Sequence, residues 1–145
     1  MANELDLMLF EQHLEELRAL PEAQRLILEQ RDMRMLEVFV GLHPRTAAQE
    51  HFRARLRWRD YGKPFSLKFV NLETETDNDP HAWPIFEGSR PGSLLACLPF
   101  TEEGIGLHPE WVTSPINSYV TPEAPLQFAV LMLQHLIDNG YGGRG

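Results

Sequence analysis

Residues 52–59 constrain the fold more than any other stretch of this chain. Four apolar side chains alternate there with four arginines in strict order. The apolar set is Phe52, Ala54, Leu56 and Trp58, and the arginines are Arg53, Arg55, Arg57 and Arg59. Because successive side chains of a β-strand point to opposite faces, the pattern predicts a half-buried strand with the arginines outward.

Further strands are predicted on either side of this one. Around residues 36–40, Leu36, Val38 and Val40 alternate with Glu37 and Phe39, and residues 65–69 repeat a two-residue apolar period in which Lys68 is expected to point outward. The connection at 60–64 contains a glycine and a proline, which are typical of turns. Consecutive strands joined by short turns predict an antiparallel meander with one face exposed.

Helices are predicted before and after the meander. The first has apolar residues at helical spacing, namely Leu7, Phe10, Leu14 and Leu17. Pro21 suits the first turn of a helix, so a second helical piece is expected from Pro21 to about Arg31, with Leu26 and Ile27 inward.

The last helix is predicted to start near Thr121 and to carry one apolar face. That face comprises Leu126, Val130, Leu133, Leu136 and Ile137. Residues 141–145 are expected to form a short flexible tail. This order predicts an α+β domain: an N-terminal helix, a four-stranded antiparallel meander, a cysteine-bearing loop and a C-terminal helix, with the helices on the face that bears Phe52, Leu56 and Trp58.

The composition narrows the class of protein. At 145 residues the chain suits a single domain over 1–145. The net charge of -8 argues against nucleic-acid binding, which depends on neutralising phosphates. No apolar run approaches the roughly 20 residues of a spanning helix, so no membrane contact is expected. An acidic N-terminus and a single cysteine predict a cytoplasmic protein.

That cysteine, Cys97, is the main candidate for chemistry. It lies in the apolar run 92–100, just before a polar, glycine-containing loop over 101–106. A thiol at this boundary is expected to lie half inside the core. It could act as a nucleophile through its thiolate, or it could pack as a small apolar side chain.

Three polar residues are candidates to assist it. His108 follows Cys97 by 11 residues and could orient an amine or support an oxyanion. Asn78 and His81 lie in the irregular segment 73–90, which precedes the cysteine. All three could equally be loop residues without a catalytic role. Zinc is not favoured, because His81, Cys97 and His108 include no closely spaced ligand pair; no metal or other cofactor is predicted. A cysteine protease is not favoured either, because no such signature surrounds Cys97.

Taken together, these segments resemble the ubiquitin-conjugating enzyme family. Residues 52–69 are similar to its second strand, turn and third strand, and 92–98 to the stretch that carries its thioester cysteine. Residues 111–115 resemble its tryptophan-serine-proline segment, and the helix over 126–137 follows as in that family. The chain looks like a shortened member of the kind found in bacterial conjugation-like systems.

The resemblance implies a UBC-like fold and a transferase. Cys97 would carry a ubiquitin-like protein as a thioester, received from an activating-enzyme-like protein, and pass it to an amine of a target protein. Residues 87–91 stand where the family has a His-Pro-Asn triplet. The alternative is therefore a catalytically inactive UBC-like binding or adaptor module for a ubiquitin-like protein.

The arginines of the central strand are a candidate docking surface for an acidic partner. In the resembling family, the outer face of the sheet is a non-covalent site for ubiquitin-like proteins. The alternative is that Arg53, Arg55, Arg57 and Arg59 pair with glutamates on neighbouring strands, such as Glu37. Since Arg55 and Arg57 are expected to point outward, reversing their charge is expected to leave folding intact.

Overall fold

The computed structural model describes residues 2–116 and 118–145. It contains three helices, α1 to α3, at Glu4–Arg18, Glu102–Leu107 and Pro125–Gly140. The described strands, β1 to β6, are Ile27–Glu29, Glu37–Leu42, Phe52–Arg57, Ser66–Val70, Ser89–Arg90 and Leu95–Ala96. Short 3-10 turns lie at Pro21–Ala23, Pro80–Ala82, Pro91–Ser93 and Pro109–Val112.

Strands β1 to β4 form one antiparallel sheet in sequence order. In its middle, Leu56 of β3 lies between Val38 of β2 and Leu67 of β4. All three are fully buried. Phe52 and Trp58 are also buried, so the predicted alternation is confirmed. The α+β order of N-terminal helix, four-stranded antiparallel meander and C-terminal helix is likewise confirmed.

Helices α1 and α3 pack together on the apolar face of the sheet. Phe10 of α1 meets the ring of Trp58 edge-on, with 5.8 Å between ring centroids. Leu14 and Leu17 are buried beside it, and α3 contributes Leu126 and Leu133 to the same core. Removing one such leucine side chain costs on the order of 2–5 kcal/mol, so this layer is a main source of stability.

The segment after α1 differs from the prediction. Pro21 begins only a three-residue 3-10 turn, and Ile27–Glu29 forms the edge strand β1. Leu28 pairs there with Val40 of β2. The side chain of Ile27 is 72% exposed, whereas Leu26 is half-buried as expected. The helix prediction was wrong because a proline at a first turn is equally compatible with a single 3-10 turn.

Three other boundaries also differ. Residues 102–107, expected as a loop, form α2, and the last helix starts at Pro125 instead of near Thr121. Residues 141–145, expected to be flexible, lie along the chain near Pro84 and are hydrogen-bonded to it. No helix among the described residues is both long enough and apolar enough to cross a membrane.

Candidate active site

Cys97 lies at the open end of a two-stranded hairpin. Strands β5 and β6 pair Ser89 with Ala96 and Arg90 with Leu95, and Cys97 follows β6 directly. Its N–H donates a hydrogen bond to the Gly88 carbonyl at 2.6 Å. The side chain is half-buried, as predicted, between the buried residues Ala96 and Leu98. The backbone of Cys97 is therefore held in place while the residue remains partly exposed.

Gly88, opposite the cysteine, is required by the geometry. Its φ angle is +96°, a region that residues with a Cβ rarely adopt. A Cβ at this position would lie 2.7 Å from Cδ2 of Leu98 and 3.2 Å from the Cys97 carbonyl oxygen. Any larger residue would therefore displace the cysteine segment.

Thr101 connects the cysteine segment to α2. The residue is completely buried, and its hydroxyl lies 3.0 Å from the Ala96 carbonyl oxygen and 3.1 Å from that of Leu98. The same oxygen accepts the N–H of Gly104 at 3.0 Å and so caps the helix. A threonine before two glutamates is a typical helix start, and this signal could have revealed α2 in the sequence.

Helix α2 in turn holds the site against the edge of the main sheet. The carboxylate of Glu103 accepts hydrogen bonds from the Ser66 hydroxyl at 2.5 Å and from the Leu67 N–H at 3.1 Å. Lys68 donates from Nζ to the carbonyl oxygen of Leu94 at 2.7 Å, next to the hairpin. Lys68, expected only to point outward, was not predicted to brace the hairpin. The cysteine hairpin is thus braced by β4 on one side.

His108 lies at the C-terminal end of α2, and its side chain contacts Glu110 and Trp111. Its ring stacks on Trp111, with 4.3 Å between centroids, and its Nδ1 atom lies 3.1 Å from Oε1 of Glu110. The pKa of Glu110 is held below its usual value by its own backbone N–H and by His108. His108 makes no hydrogen bond to Cys97 among the described residues, so its catalytic role stays a prediction.

His81 lies near the closed end of the hairpin, and Asn78 lies in the loop before the turn that carries His81. The Nδ1 atom of His81 lies 2.6 Å from the Gly145 backbone oxygen, and the turn that carries His81 contacts Pro91–Ser93, the closed end. Asn78 is exposed and makes no hydrogen bond within the described part of the chain. The structure therefore does not bring either residue into hydrogen-bonding contact with Cys97, and their catalytic roles stay predictions.

Within residues 2–116 and 118–145, the side chain of Cys97 itself makes no hydrogen bond. Over the same ranges, no three His, Cys, Asp or Glu side chains gather in a group that could hold a metal ion. The chemistry that this site offers is that of a single accessible thiol on a fixed backbone.

The four arginines each face a carboxylate. Arg57 pairs with Glu37 at 2.6 Å, the partner that the sequence indicates. The other three pairs are Arg53 with Glu75 at 3.2 Å, Arg55 with Asp77 at 3.1 Å, and Arg59 with Glu102 at 3.0 Å. The expected pairing with a neighbouring strand is confirmed for Arg57. A docking role for these arginines stays a prediction.

The chain was compared with protein-family models, with curated proteins and with solved structures, and no match was found in any of the three.

Proposed function

We propose that this protein is a transferase of the ubiquitin-conjugating type, with Cys97 as its nucleophile. It would accept a ubiquitin-like protein as a thioester and transfer it to an amine. The observation that carries the proposal is the placement of the chain's one thiol, half-exposed at the end of a hairpin that Gly88 and Thr101 hold in place. The sequence resemblance of residues 52–69, 92–98 and 111–115 adds the substrate class.

The reaction would have two exchanges. In the first, the Cys97 thiolate attacks the thioester carbonyl carbon of the ubiquitin-like protein, and the thiolate of the activating enzyme leaves. In the second, an amine attacks the same carbon, the Cys97 thiolate leaves, and the amine loses a proton as the amide forms. Because the acyl group is a thioester at the start of both exchanges, the site needs a well-positioned thiol more than it needs a strong base.

The second candidate is a binding or adaptor module with the same architecture. It is favoured by one observation, that His108 and His81 are engaged with Glu110 and Gly145 instead of the sulfur. Such a module would bind a ubiquitin-like protein without forming a covalent bond to it.

The test is an adduct assay with the purified protein. The protein is mixed with ATP and with the activating enzymes and ubiquitin-like proteins encoded in its own genome. We expect a covalent adduct that reducing agent cleaves. Cys97→Ser should form no adduct or an oxygen ester that resists thiols, and Cys97→Lys should form a stable amide. Ser93→Ala, an exposed neighbour, serves as the matched control and should behave as the wild type.

Two outcomes would contradict the transferase. One is full conjugating activity in Cys97→Ser. The other is the absence of any thiol-sensitive adduct with the wild type while a non-covalent complex with a ubiquitin-like protein persists, which would favour the adaptor.

A further inference from the structure

Residues 142–145 lie along the segment 83–85 as an added strand. The Gly142 N–H donates to the Ile85 carbonyl oxygen and the Ile85 N–H to that of Gly143, both at 2.7 Å. The Gly145 N–H donates to the Trp83 carbonyl oxygen at 2.8 Å. Backbone pairing of this kind is how many proteins bind extended peptides, with specificity added by the side-chain positions.

Arg144 occupies a site that suits a planar cation. Its guanidinium lies 4.2 Å above the ring of Phe52. Nη1 donates to the carbonyl oxygen of His81 at 2.7 Å, and Nη2 donates to that of His51 at 3.1 Å. Nη2 also lies 3.4 Å from Oε2 of Glu50. A ring face combined with two carbonyls and a carboxylate matches arginine better than lysine, which has no planar fork.

The positions beside Arg144 favour glycine to different degrees. Gly143 has a φ of +109°, in the left-handed region. A Cβ on Gly145 would lie 2.5 Å from Cβ of Pro91 and 2.6 Å from the Pro80 carbonyl oxygen. A Cβ on Gly142 would lie 3.2 Å from Cγ2 of Ile85. We call the surface that holds this segment, formed by residues 83–85, Phe52 and the groups that bind Arg144, the cleft; it favours the order Gly-Gly-Arg-Gly, most strictly at the positions of Gly143 and Gly145.

We propose that this cleft is a peptide-recognition site for extended Gly-Gly-Arg-Gly segments of partner polypeptides. The chain's own residues 142–145 occupy it and act as a competitor within the same molecule. A segment tethered this closely has an effective concentration of about the millimolar range. A partner segment must therefore bind tightly enough to displace it, or bind a molecule in which residues 142–145 have already left the cleft. The proposal does not depend on Cys97 or on the proposed transferase.

The probe is a fluorescein-labelled peptide, acetyl-Tyr-Gly-Gly-Arg-Gly-amide, followed by fluorescence polarisation. Two variants weaken the chain's own segment and leave the cleft unchanged: Arg144→Ala removes the anchoring cation, and Gly145→Val clashes with Pro91. Because the competing segment is weakened, both should bind the peptide at least about tenfold more tightly than the wild type. Arg34→Ala removes an exposed arginine paired only with Asp32, so it should match the wild type.

A peptide with alanine in place of arginine is the specificity control and should bind at least about tenfold more weakly, because it lacks the charged hydrogen bonds. Circular dichroism confirms that each variant is folded before binding is measured. The proposal is overturned if neither variant binds the peptide up to about 1 mM, the scale of the tethered competition. It is also overturned if the alanine peptide binds equally well. Neither result would bear on thioester formation at Cys97.

Discussion

The hydroxyl of Tyr61 lies 2.6 Å from the Nδ1 atom of His13 on α1. The same oxygen accepts the N–H of Leu126 at 3.1 Å. Leu126 is in the first turn of α3, where backbone N–H groups lack partners within the helix and Ala124, the N-cap residue, provides no side-chain hydrogen bond. One side chain from the turn after β3 thus joins the two helices that cover the sheet.

Tyr61→Phe should destabilise the protein by about 1–2 kcal/mol, since it removes the bond to His13 and leaves the Leu126 N–H unpaired. Urea unfolding at neutral pH measures the change. Tyr119→Phe is the matched control, because the Tyr119 hydroxyl makes no hydrogen bond within the described residues and should be removable at little cost. Equal losses in the two variants would show that the Tyr61 hydroxyl does not join the helices.

Stability should also fall at alkaline pH. Burial raises the pKa of the Tyr61 hydroxyl well above its value of 10.0 in an unfolded chain. A group whose pKa is higher in the folded state stabilises it fully below the unfolded pKa and loses that contribution as pH rises toward the folded pKa. Unfolding free energies measured at about pH 8 and about pH 11 should differ less in Tyr61→Phe than in the wild type. If the unfolding free energy falls by the same amount between these two pH values in Tyr61→Phe and in the wild type, Tyr61 is not the group responsible for the alkaline loss.

Asp138 should make the protein sensitive to acid. Its side chain is 5% exposed and accepts hydrogen bonds from Arg25 at 2.9 Å and from the Arg45 N–H at 2.9 Å. Burial acts to raise the pKa of Asp138, but these two donors outweigh it and hold the pKa below its usual value of 3.8. A lowered pKa contributes stability that is present above the unfolded value and lost as pH falls through the folded one.

We therefore expect Asp138→Asn to lose about 2 kcal/mol at neutral pH, because it leaves Arg25 without its counter-charge. The variant should also show a shallower decline in stability below about pH 4. Thermal unfolding across an acid pH series tests both points, with Asp60→Asn as control, because the exposed Asp60 side chain has no partner among the described residues. A parallel decline in wild type and Asp138→Asn would rule out this carboxylate as the acid-sensitive group.

Charge reversal at Arg57 should be destabilising, contrary to the expectation that reversing Arg55 and Arg57 leaves folding intact. Arg57 does point outward, but its partner Glu37 has a side chain only 10% exposed. Arg57→Glu would place a second carboxylate beside it, at a cost of about 1–3 kcal/mol. Adding Glu37→Arg restores an opposite pair and should recover much of that loss in a double-mutant cycle. Simple additivity of the two losses would show that the pair does not interact.

Gly88→Ala should disturb the cysteine site. The substitution forces an unfavourable backbone angle and a clash with Leu98, for an expected loss of about 1–3 kcal/mol. Gly92→Ala is the matched control in the same hairpin, since a Cβ there meets nothing within 4 Å. Urea unfolding and the rate of Cys97 alkylation by iodoacetamide measure stability and exposure. If the two alanine variants behave alike, the close approach at Gly88 does not position the cysteine.

How far the sequence predicts this structure depends on how local each determinant is. The strand at Phe52–Arg57 is recognisable because burial of one face imposes a two-residue period within the strand itself. Strand β1 cannot be recognised in this way, because Ile27 is exposed and the strand depends on pairing with β2. Residues 142–145 are glycine-rich and carry no local preference, so their order depends on contacts with residues about sixty positions earlier.

The candidate site shows the same division. The half-buried position of Cys97 follows from its place at the boundary between an apolar run and a polar segment. The environment of His108 does not follow from the sequence in this way. Gly104 and Gly106 weaken the helical pattern of α2, and its cap residue, Thr101, is held by contacts with the hairpin. Which polar groups face the sulfur is set by this tertiary packing, which spacing along the chain does not reveal.

The outer sheet face has a consequence for encounter rates. Arg53, Arg55 and Arg57 each lie within 3.2 Å of a carboxylate there, although Arg53 shares Glu75 with Arg31, so these arginines contribute little net field at a distance. The remainder of the protein carries the excess that gives the net charge of -8. An acidic partner approaching this face therefore gains little acceleration from the arginines, and its association should be no faster than the roughly 10⁵–10⁶ M⁻¹s⁻¹ of unguided encounters.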